Sequence, residues 1–393
     1  MGVIVRYILR DLGVSFLFGF AVFTCLLLTV ILVQKAIDND IPLIHVGGLV
    51  PFALVETTAI SLPVSLLLAV TTFFARMSGN NEVIALKALG IPPKSFLLPV
   101  FAIAILMSVV GFAINEASII WGRPGIAAII SSCAEDILIG KLKKWHRFES
   151  PNKQLTIIVQ GVDEQRRLIK PMIMWKKESI KIEAEKAKIA IDFAANMLTI
   201  TLTDFRVEGD NGKFMYASQH QDWSLSLTEI IPSDDPNRPS NMGIHRIREE
   251  IKKTAEDIEQ QQRTIVAHRV FAASTGSVNE WATRQINDAK KSIHSLQARQ
   301  NRLSVEPQRR WATGFCCFFF VWLGAPLAIW MRKTDFFSSF FACFLPILLL
   351  FYPLLMLGLE QAKKGTVPPY SVWLANVAIG LVGLWFLKKI HRH

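Results

Sequence analysis

The stretch that decides the fold is residues 12–33, which read LGVSFLFGFAVFTCLLLTVILV and carry no charge. A bilayer core of about 30 Å requires about 20 helical residues, so this stretch is long enough to cross a membrane. Further apolar stretches follow it along the chain, at Val46–Phe74, Phe96–Ile114, Ala312–Met331, Phe336–Leu359 and Ser371–Leu387. The sequence therefore predicts six transmembrane helices, three before and three after a polar insert at 115–310.

The composition indicates a protein that lies partly in a membrane and partly in water. Of the 393 residues, 51% are hydrophobic and 19% are charged, whereas about a quarter of the residues are charged in soluble domains. The formal net charge of +11 would suit nucleic acid or anionic lipid as a partner. The positions of the basic residues decide between these two classes.

The distribution of lysine and arginine predicts the orientation in the membrane, because short cytoplasmic loops are enriched in these residues. The short loops on one side contain ten of them, and those on the other side contain three. The ten are Arg6, Arg10, Arg76, Lys87, Lys94, Arg332, Lys333, Lys388, Lys389 and Arg392, and the three are Lys35, Lys363 and Lys364. We therefore expect both termini in the cytoplasm and residues 115–310 outside it, a topology that disfavours a nucleic-acid partner.

The polar insert divides into two regions by its periodicity. Residues 151–230 alternate like short β-strands separated by turn residues such as those at 209–212, which predicts a β-sandwich or jellyroll-like fold. Residues 243–306 have helical spacing with a break at 274–277, which predicts two helices in an antiparallel hairpin. The hairpin is either a coiled-coil spacer that packs on itself or a docking arm for a partner protein.

The fold class that follows is an α+β membrane protein. Six transmembrane helices (3+3) flank an extracytoplasmic β-jellyroll domain, and an antiparallel helical hairpin is added to it. The predicted parts are 1–114 with transmembrane helices 1–3 and a short cytoplasmic helix at 78–90, 115–242 with the β-domain, 243–306 with the hairpin, and 307–393 with transmembrane helices 4–6.

The sequence lacks the motifs of common enzymes. It has no GxSxG, no HExxH and no glycine-rich phosphate loop, which are the signals of acyl hydrolases, zinc proteases and nucleotide-binding proteins. Its five cysteines match neither a metal-ligand spacing nor a disulfide framework. We therefore predict a protein that is not an enzyme, needs no cofactor or metal, and cannot bind nucleotide in the usual way.

The segment after the second span has the signals of a complete short helix and reads SGNNEVIALKALGIPP at 78–93. Ser78 or Asn80 is suited to cap its N-terminus, and Glu82 complements the helix dipole in the first turn. Gly90 is placed as the residue after the C-terminal cap. About nine residues are too few to span a bilayer and too apolar for the cytosol. The apolar face is therefore buried on the membrane domain, in the bilayer surface or on another protein.

Glu56 is a formal charge well inside a predicted span. Ionisable groups at membrane depth are costly and usually face a cavity or a partner. Glu56 is therefore a candidate proton-coupling carboxylate. A tilted helix would instead place it near the outer interface, where it requires no function.

Several segments resemble those of a known family. They are Val5–Leu12, Ala75–Gly90, Ile182–Ala190, Leu323–Ala328, Gly365–Pro369 and Gly383–Lys389. Together they make the chain similar to the LptF/LptG permeases of the lipopolysaccharide export system, and Glu82–Gly90 is the most specific stretch. The resemblance covers nearly the whole chain except about 250–300.

The resemblance implies one of two related six-span permeases that work with a cytoplasmic ABC ATPase and a single-span periplasmic bridging protein. In such proteins the short cytoplasmic helix inserts into a groove of the ATPase. The resemblance thus assigns the key acidic contact to Glu82 and implies a surrounding coupling surface of Asn81, Ile84, Ala85, Leu86, Leu89 and Gly90. It also makes Lys35, near the outer end of the first span, the candidate for holding the phosphorylated head group of the glycolipid.

Two features depart from the family pattern. A long helical hairpin stands where the family has a short helical link before the fourth span. Asp38 and Asp40 follow Lys35 closely, which is compatible with a substrate less anionic than typical lipopolysaccharide.

The function that we predict is a permease subunit of an ABC-type exporter in the bacterial inner membrane. It would extract lipopolysaccharide or a similar glycolipid and pass it to a periplasmic bridge. Two rival functions stay open on the sequence. One is a proton-coupled secondary transporter that uses Glu56, and the other is a membrane scaffold whose hairpin recruits a partner.

Overall fold

The computed structural model describes residues 2–39, 41, 43–150, 155–163, 165–175, 180–192, 197–208, 214–217, 221–226, 238–274, 280–331 and 336–392. Asp40, the predicted turn at 209–212 and residues 275–277 of the predicted hairpin break lie outside these residues. The chain forms two compact units, and each is described by itself. The first unit consists of Met1–Leu27, Val55–Ile120 and Asn237–His393, and the second consists of Leu28–Leu54 and Trp121–Pro236.

Helices occupy most of the chain before the sheet. They are α1 (Gly2–Asn39), α2 (Leu43–Gly79), α3 (Glu82–Ala88), α4 (Pro93–Ala117), α5 (Arg123–Ser132) and α6 (Ala134–Trp145). A π-helical turn at Ser118–Gly122 follows α4 in the chain and precedes α5.

Helices also occupy the chain after the sheet. They are α7 (Ile244–Ser274), α8 (Glu280–Gly314), α9 (Cys316–Trp330), α10 (Phe336–Pro346), α11 (Tyr352–Lys364) and α12 (Leu374–Arg392). A π-helical turn at Ile347–Phe351 joins α10 to α11, and a 3-10 turn at Pro369–Trp373 precedes α12.

Among the described residues, six helical stretches are long and apolar enough to cross a membrane. They are Ile4–Asp38, Ile44–Gly79, Pro93–Ser132, Thr283–Trp330, Ser338–Lys364 and Pro369–Ile390. The prediction of six apolar spans is confirmed. The fourth stretch is longer than the predicted Ala312–Met331, because α8 of the hairpin continues to Gly314 and α9 begins at Cys316.

The first unit is packed through aromatic side chains and small residues. Phe73, Phe74 and Phe96 are fully buried in its core. Where α9 meets α12, the indole nitrogen of Trp322 donates to the carbonyl of Gly380 at 3.1 Å. One turn along α12, a β-carbon at Gly383 would lie 2.9 Å from the carbonyl oxygen of Trp322. Glycine at that position therefore permits the close approach of the two helices, as small residues do between membrane helices.

A buried ionic cluster fixes the C-terminal end of α8 within the first unit. The side chain of Arg310 is inaccessible to solvent and donates to Glu116 Oε2 at 2.7 Å and to the carbonyl of Met242 at 2.6 Å. Glu116 Oε1 accepts the backbone N–H of Ile244 at 2.8 Å, which is the first residue of α7. The cluster thus ties the ends of α4, α7 and α8 together. Further along, Glu250 of α7 pairs with Arg299 of α8 at 2.9 Å, so these two helices run antiparallel.

The second unit contains an antiparallel sheet. Its described strands are β1 (Arg147–Glu149), β2 (Leu155–Ile158), β3 (Gly161–Val162), β4 (Arg167–Ile169), β5 (Met172–Trp175), β6 (Ile180–Asp192), β7 (Met197–Glu208), β8 (Phe214–Ala217) and β9 (Gln221–Ser226). The long pair β6–β7 is the spine of the sheet: β4 and β5 pair with β6, and β8 and β9 pair with β7. The membrane α+β class is therefore observed, with an antiparallel sheet in the insert.

The paired strands β6 and β7 keep one face on the core of the second unit, although the alternation of buried and exposed residues shifts by one position in β7. The buried residues of β7 are Leu198, Ile200 and Leu202, and then Phe205. The alternation shifts by one residue at Asp204, whose φ of 53° is left-handed, a conformation that aspartate adopts more readily than most residues. Helix α6 packs on the same core through Leu138 and Leu142.

Candidate functional site

The short helix predicted after the second span is present as α3, but its N-terminus differs from the prediction. The cap is Asn81, in the left-handed conformation with φ 60° and without a side-chain cap. Ser78 still belongs to α2 and donates to the carbonyl of Ile329 at 3.2 Å, and Asn80 Nδ2 donates to Glu82 Oε1 at 3.3 Å. The expectation that Ser78 or Asn80 caps the helix was therefore wrong.

The C-terminus of α3 agrees with the prediction for Gly90. Gly90 has φ 76°, and its N–H donates to the carbonyl of Lys87 at 2.9 Å. The N–H of Ile91 donates to the carbonyl of Leu86 at 3.0 Å. These two bonds with a left-handed residue form a Schellman motif, which glycine favours because it has no β-carbon.

The side chains of α3 divide between two faces. Val83 is 5% exposed and belongs to the core of the first unit, and Leu86 packs against that core. Ile84 is 44% exposed and Leu89 is 76% exposed. Asn81, Ala85 and Gly90 are exposed with them, and Glu82 is half-buried. The structure therefore brings the predicted coupling residues onto an outward face, with the exception of Leu86.

A cavity of about 420 Å³ lies between α3 and the ends of α9 and α12. We call it the α3–α12 cavity; its lining is Ser78, Val83, Ile84, Lys87, Ile329, Trp330, Lys389 and Ile390. Lys87 Nζ donates to the carbonyl of Ile390 at 3.1 Å. Lys389 Nζ lies 4.4 Å from the ring centre of Trp330 and 4.9 Å from that of Trp385. Three segments that lie far apart in the sequence thus form one site.

A second cavity, of about 510 Å³, lies in the second unit between the end of α1 and helix α6. We call it the α6 cavity; Ala36, Ile37 and Ile41 line one side of it, and Gly140, Lys141, Lys144 and Trp145 line the other. Lys144 Nζ lies 5.1 Å from the ring centre of Trp145. Lys35, the predicted head-group residue, is half-buried on α1 next to Ala36 and is not itself part of the lining.

The lysines of the α6 cavity are functional candidates that the sequence analysis missed. Helix α6 carries Glu135 and Asp136 in its first turn and Lys143 and Lys144 in its last turn, an arrangement that complements the helix dipole. Asp136 pairs with Arg166 at 2.9 Å and lies 3.5 Å from His45. The signal that could have identified the site is the pair Lys141 and Lys144 followed by a tryptophan, because residues three apart share a helix face.

Glu56 lies partly buried on α2. It precedes a row of fully buried hydroxyl residues, Thr57, Ser61 and Ser65. Ser61 hydrogen-bonds with Thr24 of α1 at 2.8 Å, and Ser65 donates to the carbonyl of Ser61 at 2.8 Å. Of these hydroxyls, that of Ser61 links α2 to α1, and that of Ser65 bonds within α2.

The comparisons with known proteins give one family. A family model described as lipopolysaccharide export system permease LptF/LptG matches residues 6–389. The match covers nearly the whole chain, including α3, the α6 cavity and the sheet, and it covers the lining of the α3–α12 cavity except Ile390. No curated protein matches the chain significantly.

Proposed function

The chain belongs to the LptF/LptG family of lipopolysaccharide export permeases, and from this premise we propose that it is the membrane subunit of an ABC-type glycolipid exporter. The family is a transporter component of the inner membrane and not an enzyme. In our proposal a separate cytoplasmic ATPase drives the chain through α3. A second six-span permease and a single-span periplasmic bridging protein complete the assembly, and the glycolipid passes to the bridge.

The observation that carries the proposal is the apolar outward face of α3. Ile84 and Leu89 expose large apolar side chains on a helix of seven residues, which is too short to cross a bilayer. Val83 anchors the opposite face in the core, so a force on α3 is transmitted to the first unit. Residues of this type in this arrangement favour insertion into a groove of another protein. Glu82 and its neighbour Asn81 would contact polar groups at the rim.

The direct test of the proposal is site-specific photo-crosslinking in cells. A photoreactive residue at the exposed position Leu89 is expected to capture a soluble ATPase subunit. The same residue at the buried position Val83 is the matched control and is expected to capture none. Capture of lipid alone from position 89 would contradict the ATPase contact.

A charge reversal tests the role of Glu82. We expect Glu82→Lys to reduce ATP-driven release of glycolipid by at least about tenfold, because one charge-assisted contact contributes about 1.5–3 kcal/mol. Lys94→Glu, at an exposed lysine outside α3, is the control charge reversal and should retain transport. Normal transport by the Glu82 variant with intact folding would argue against coupling through this residue.

The α6 cavity supports a site for the phosphorylated head group of the glycolipid. Two ammonium groups, from Lys141 and Lys144, face apolar residues at the end of the first span. Phosphate groups bind such paired lysines electrostatically, and the apolar side of the cavity suits the lipid part of the molecule. We assign the head group to this cavity, with Lys35 on the adjoining turn of α1.

The first span supports a partner within the membrane. In the most apolar window of α1, 11% of the residues are buried within the chain, against 72% for the fourth span. Exposed apolar residues such as Leu17 and Phe18 leave a surface that a second permease would cover. In this proposal both termini are cytoplasmic, the sheet is a periplasmic jellyroll, and the parts 1–114, 115–242, 243–306 and 307–393 act as transmembrane, jellyroll, hairpin and transmembrane regions.

The rival function of a proton-coupled transporter is tested at Glu56. Glu56→Gln removes the titratable proton with little change of shape. In an ATP-driven exporter this variant should transport at the normal rate at every external pH. Loss of transport by this variant, together with transport by the unchanged protein that persists on ATP depletion, would favour the secondary transporter.

A further inference from the structure

The α3–α12 cavity combines two positive charges with an apolar wall. The wall consists of Val83, Ile84, Ile329, Trp330 and Ile390, and the charges belong to Lys87 and Lys389. Its volume of about 420 Å³ lies in the range of small-ligand sites, which is about 300–1,000 Å³.

The positive charge of the cavity is not neutralised by its own lining. All the residues that line it are described, and none of them is a carboxylate. Lys87 is bonded to a backbone carbonyl, and Lys389 lies over two indole rings. A carbonyl and an aromatic face orient an ammonium group but leave its net charge in place. The cavity therefore favours an anion.

The position of the cavity along the spans indicates the source of that anion. Two of the candidate membrane spans end at Trp330 and at Ile390, and both residues line the cavity. Trp330 and Trp385 are exposed there beside Lys389. Tryptophan and lysine at the ends of spans are typical of the membrane–water interface, the level at which the phosphate groups of lipids lie.

We propose that the α3–α12 cavity binds the phosphate group of an anionic glycerophospholipid. Lys87 and Lys389 contact the phosphate oxygens, and the apolar wall contacts the glycerol and the first acyl carbons. Because Lys87 belongs to α3 and Lys389 to α12, the bound phosphate links the two helices and holds α3 in position. The site differs from the glycolipid site of the proposed function and needs no ATPase to be occupied.

The test is lipid retention by the full-length chain, purified in detergent without any ATPase and measured by native mass spectrometry. Phosphatidylglycerol and phosphatidylcholine with the same acyl chains are added in turn. We expect preferential retention of phosphatidylglycerol, because each basic residue near a membrane surface attracts anionic lipid. The double variant Lys87→Gln/Lys389→Gln should lower that retention about tenfold.

The matched control is Lys94→Gln/Lys388→Gln, which removes the same charge at two exposed lysines outside the cavity. Retention of phosphatidylglycerol by this control, with its loss in the first double variant, supports the site. If both double variants lose phosphatidylglycerol equally, or if the unchanged chain shows no preference for it, the lipid assignment is overturned.

Inorganic phosphate distinguishes the two sources of the anion. If millimolar phosphate raises the melting temperature of the unchanged chain but not of Lys87→Gln/Lys389→Gln, and phosphatidylglycerol has no effect, the cavity takes free phosphate and the lipid assignment is wrong. If instead the two lysines matter only after an ATPase is added, the cavity belongs to the coupling contact and the proposal is overturned.

Discussion

The α6 cavity and the α3–α12 cavity contain the same types of residue but are built in different ways. Each has two lysines, one of which lies over a tryptophan ring at 5.1 Å or 4.4 Å. In the α6 cavity both lysines come from a single helix. In the α3–α12 cavity one lysine comes from α3 and the other from the end of the chain. The first lysine pair is a product of local sequence, and the second is a product of tertiary packing.

This difference has a practical consequence for the two sites. Two lysines on one helix stay together whenever that helix forms. A cavity built from distant elements keeps its lysines together only while α9, α12 and α3 are packed correctly. Changes in the packing of α9 and α12 should therefore separate the two lysines of the α3–α12 cavity and leave the lysine pair of α6 together.

The largest expected effect is on the packing that builds the α3–α12 cavity. Gly383→Ala places a β-carbon 2.9 Å from the carbonyl oxygen of Trp322, so α9 and α12 must separate. We expect a loss of about 2–3 kcal/mol in the free energy of unfolding, near the upper end for overpacking. A fall in the melting temperature in detergent measures it, together with loss of phosphatidylglycerol retention. An unchanged melting temperature would show that the two helices are not in close contact.

A smaller effect separates the ligands of the two cavities. Lys141→Gln/Lys144→Gln should weaken binding of the phosphorylated glycolipid about tenfold and leave phosphatidylglycerol retention unchanged. Lys87→Gln/Lys389→Gln should give the opposite pattern. Binding of each lipid to the purified chain measures both. If either double variant weakens the binding of both lipids equally, the two cavities do not have separate ligands.

A local effect of similar or smaller size is expected at the end of α3. Gly90 has φ 76°, and a β-carbon in this conformation costs about 1 kcal/mol. Gly90→Ala should therefore loosen the last turn of α3 and increase amide hydrogen exchange at Ile91 about fivefold. Exchange in α6 should not change. Equal exchange at Ile91 in both proteins would mean that the Schellman bonds do not limit opening.

The smallest effect is expected in the α6 cavity and has the opposite sign. Gly140 lies within α6, and a β-carbon there meets no atom within 4 Å. Alanine has a higher helix propensity than glycine, by up to about 1 kcal/mol. Gly140→Ala should therefore raise the melting temperature slightly and leave glycolipid binding intact. Weaker glycolipid binding by this variant would show that the glycine is needed for ligand access.

Local signals predicted the elements that depend only on neighbouring residues. The six apolar spans, the antiparallel strands and the left-handed Gly90 all follow from patterns within about 20 residues. The α3 cap was mispredicted because Ser78 donates to Ile329, which lies 251 positions away in the chain. Sequence spacing contains no information about that competing acceptor.

The candidate sites show the same limit. The outward face of α3 was predicted in part. Leu86 instead packs against the core, which is formed by helices far away in the sequence. The sequence analysis gave Arg310 no role, although it is fully buried and bonded to Glu116 and Met242. Only the lysine pair of α6 could have been identified locally, from its spacing and the tryptophan beside it.

Helix α8 has a mechanical consequence of its own. It runs from Glu280 to Gly314, about 50 Å at 1.5 Å per residue, and only Phe315 separates it from the apolar helix α9. The N–H of Phe315 still donates to the carbonyl of Trp311 at 2.9 Å, so the connection stays helical. A tilt of α9 by ten degrees that carries α8 with it swings the far end of α8 by about 9 Å. Helix α8 thus converts a small tilt of α9 into a displacement of its far end that is larger than the rise of one helical turn.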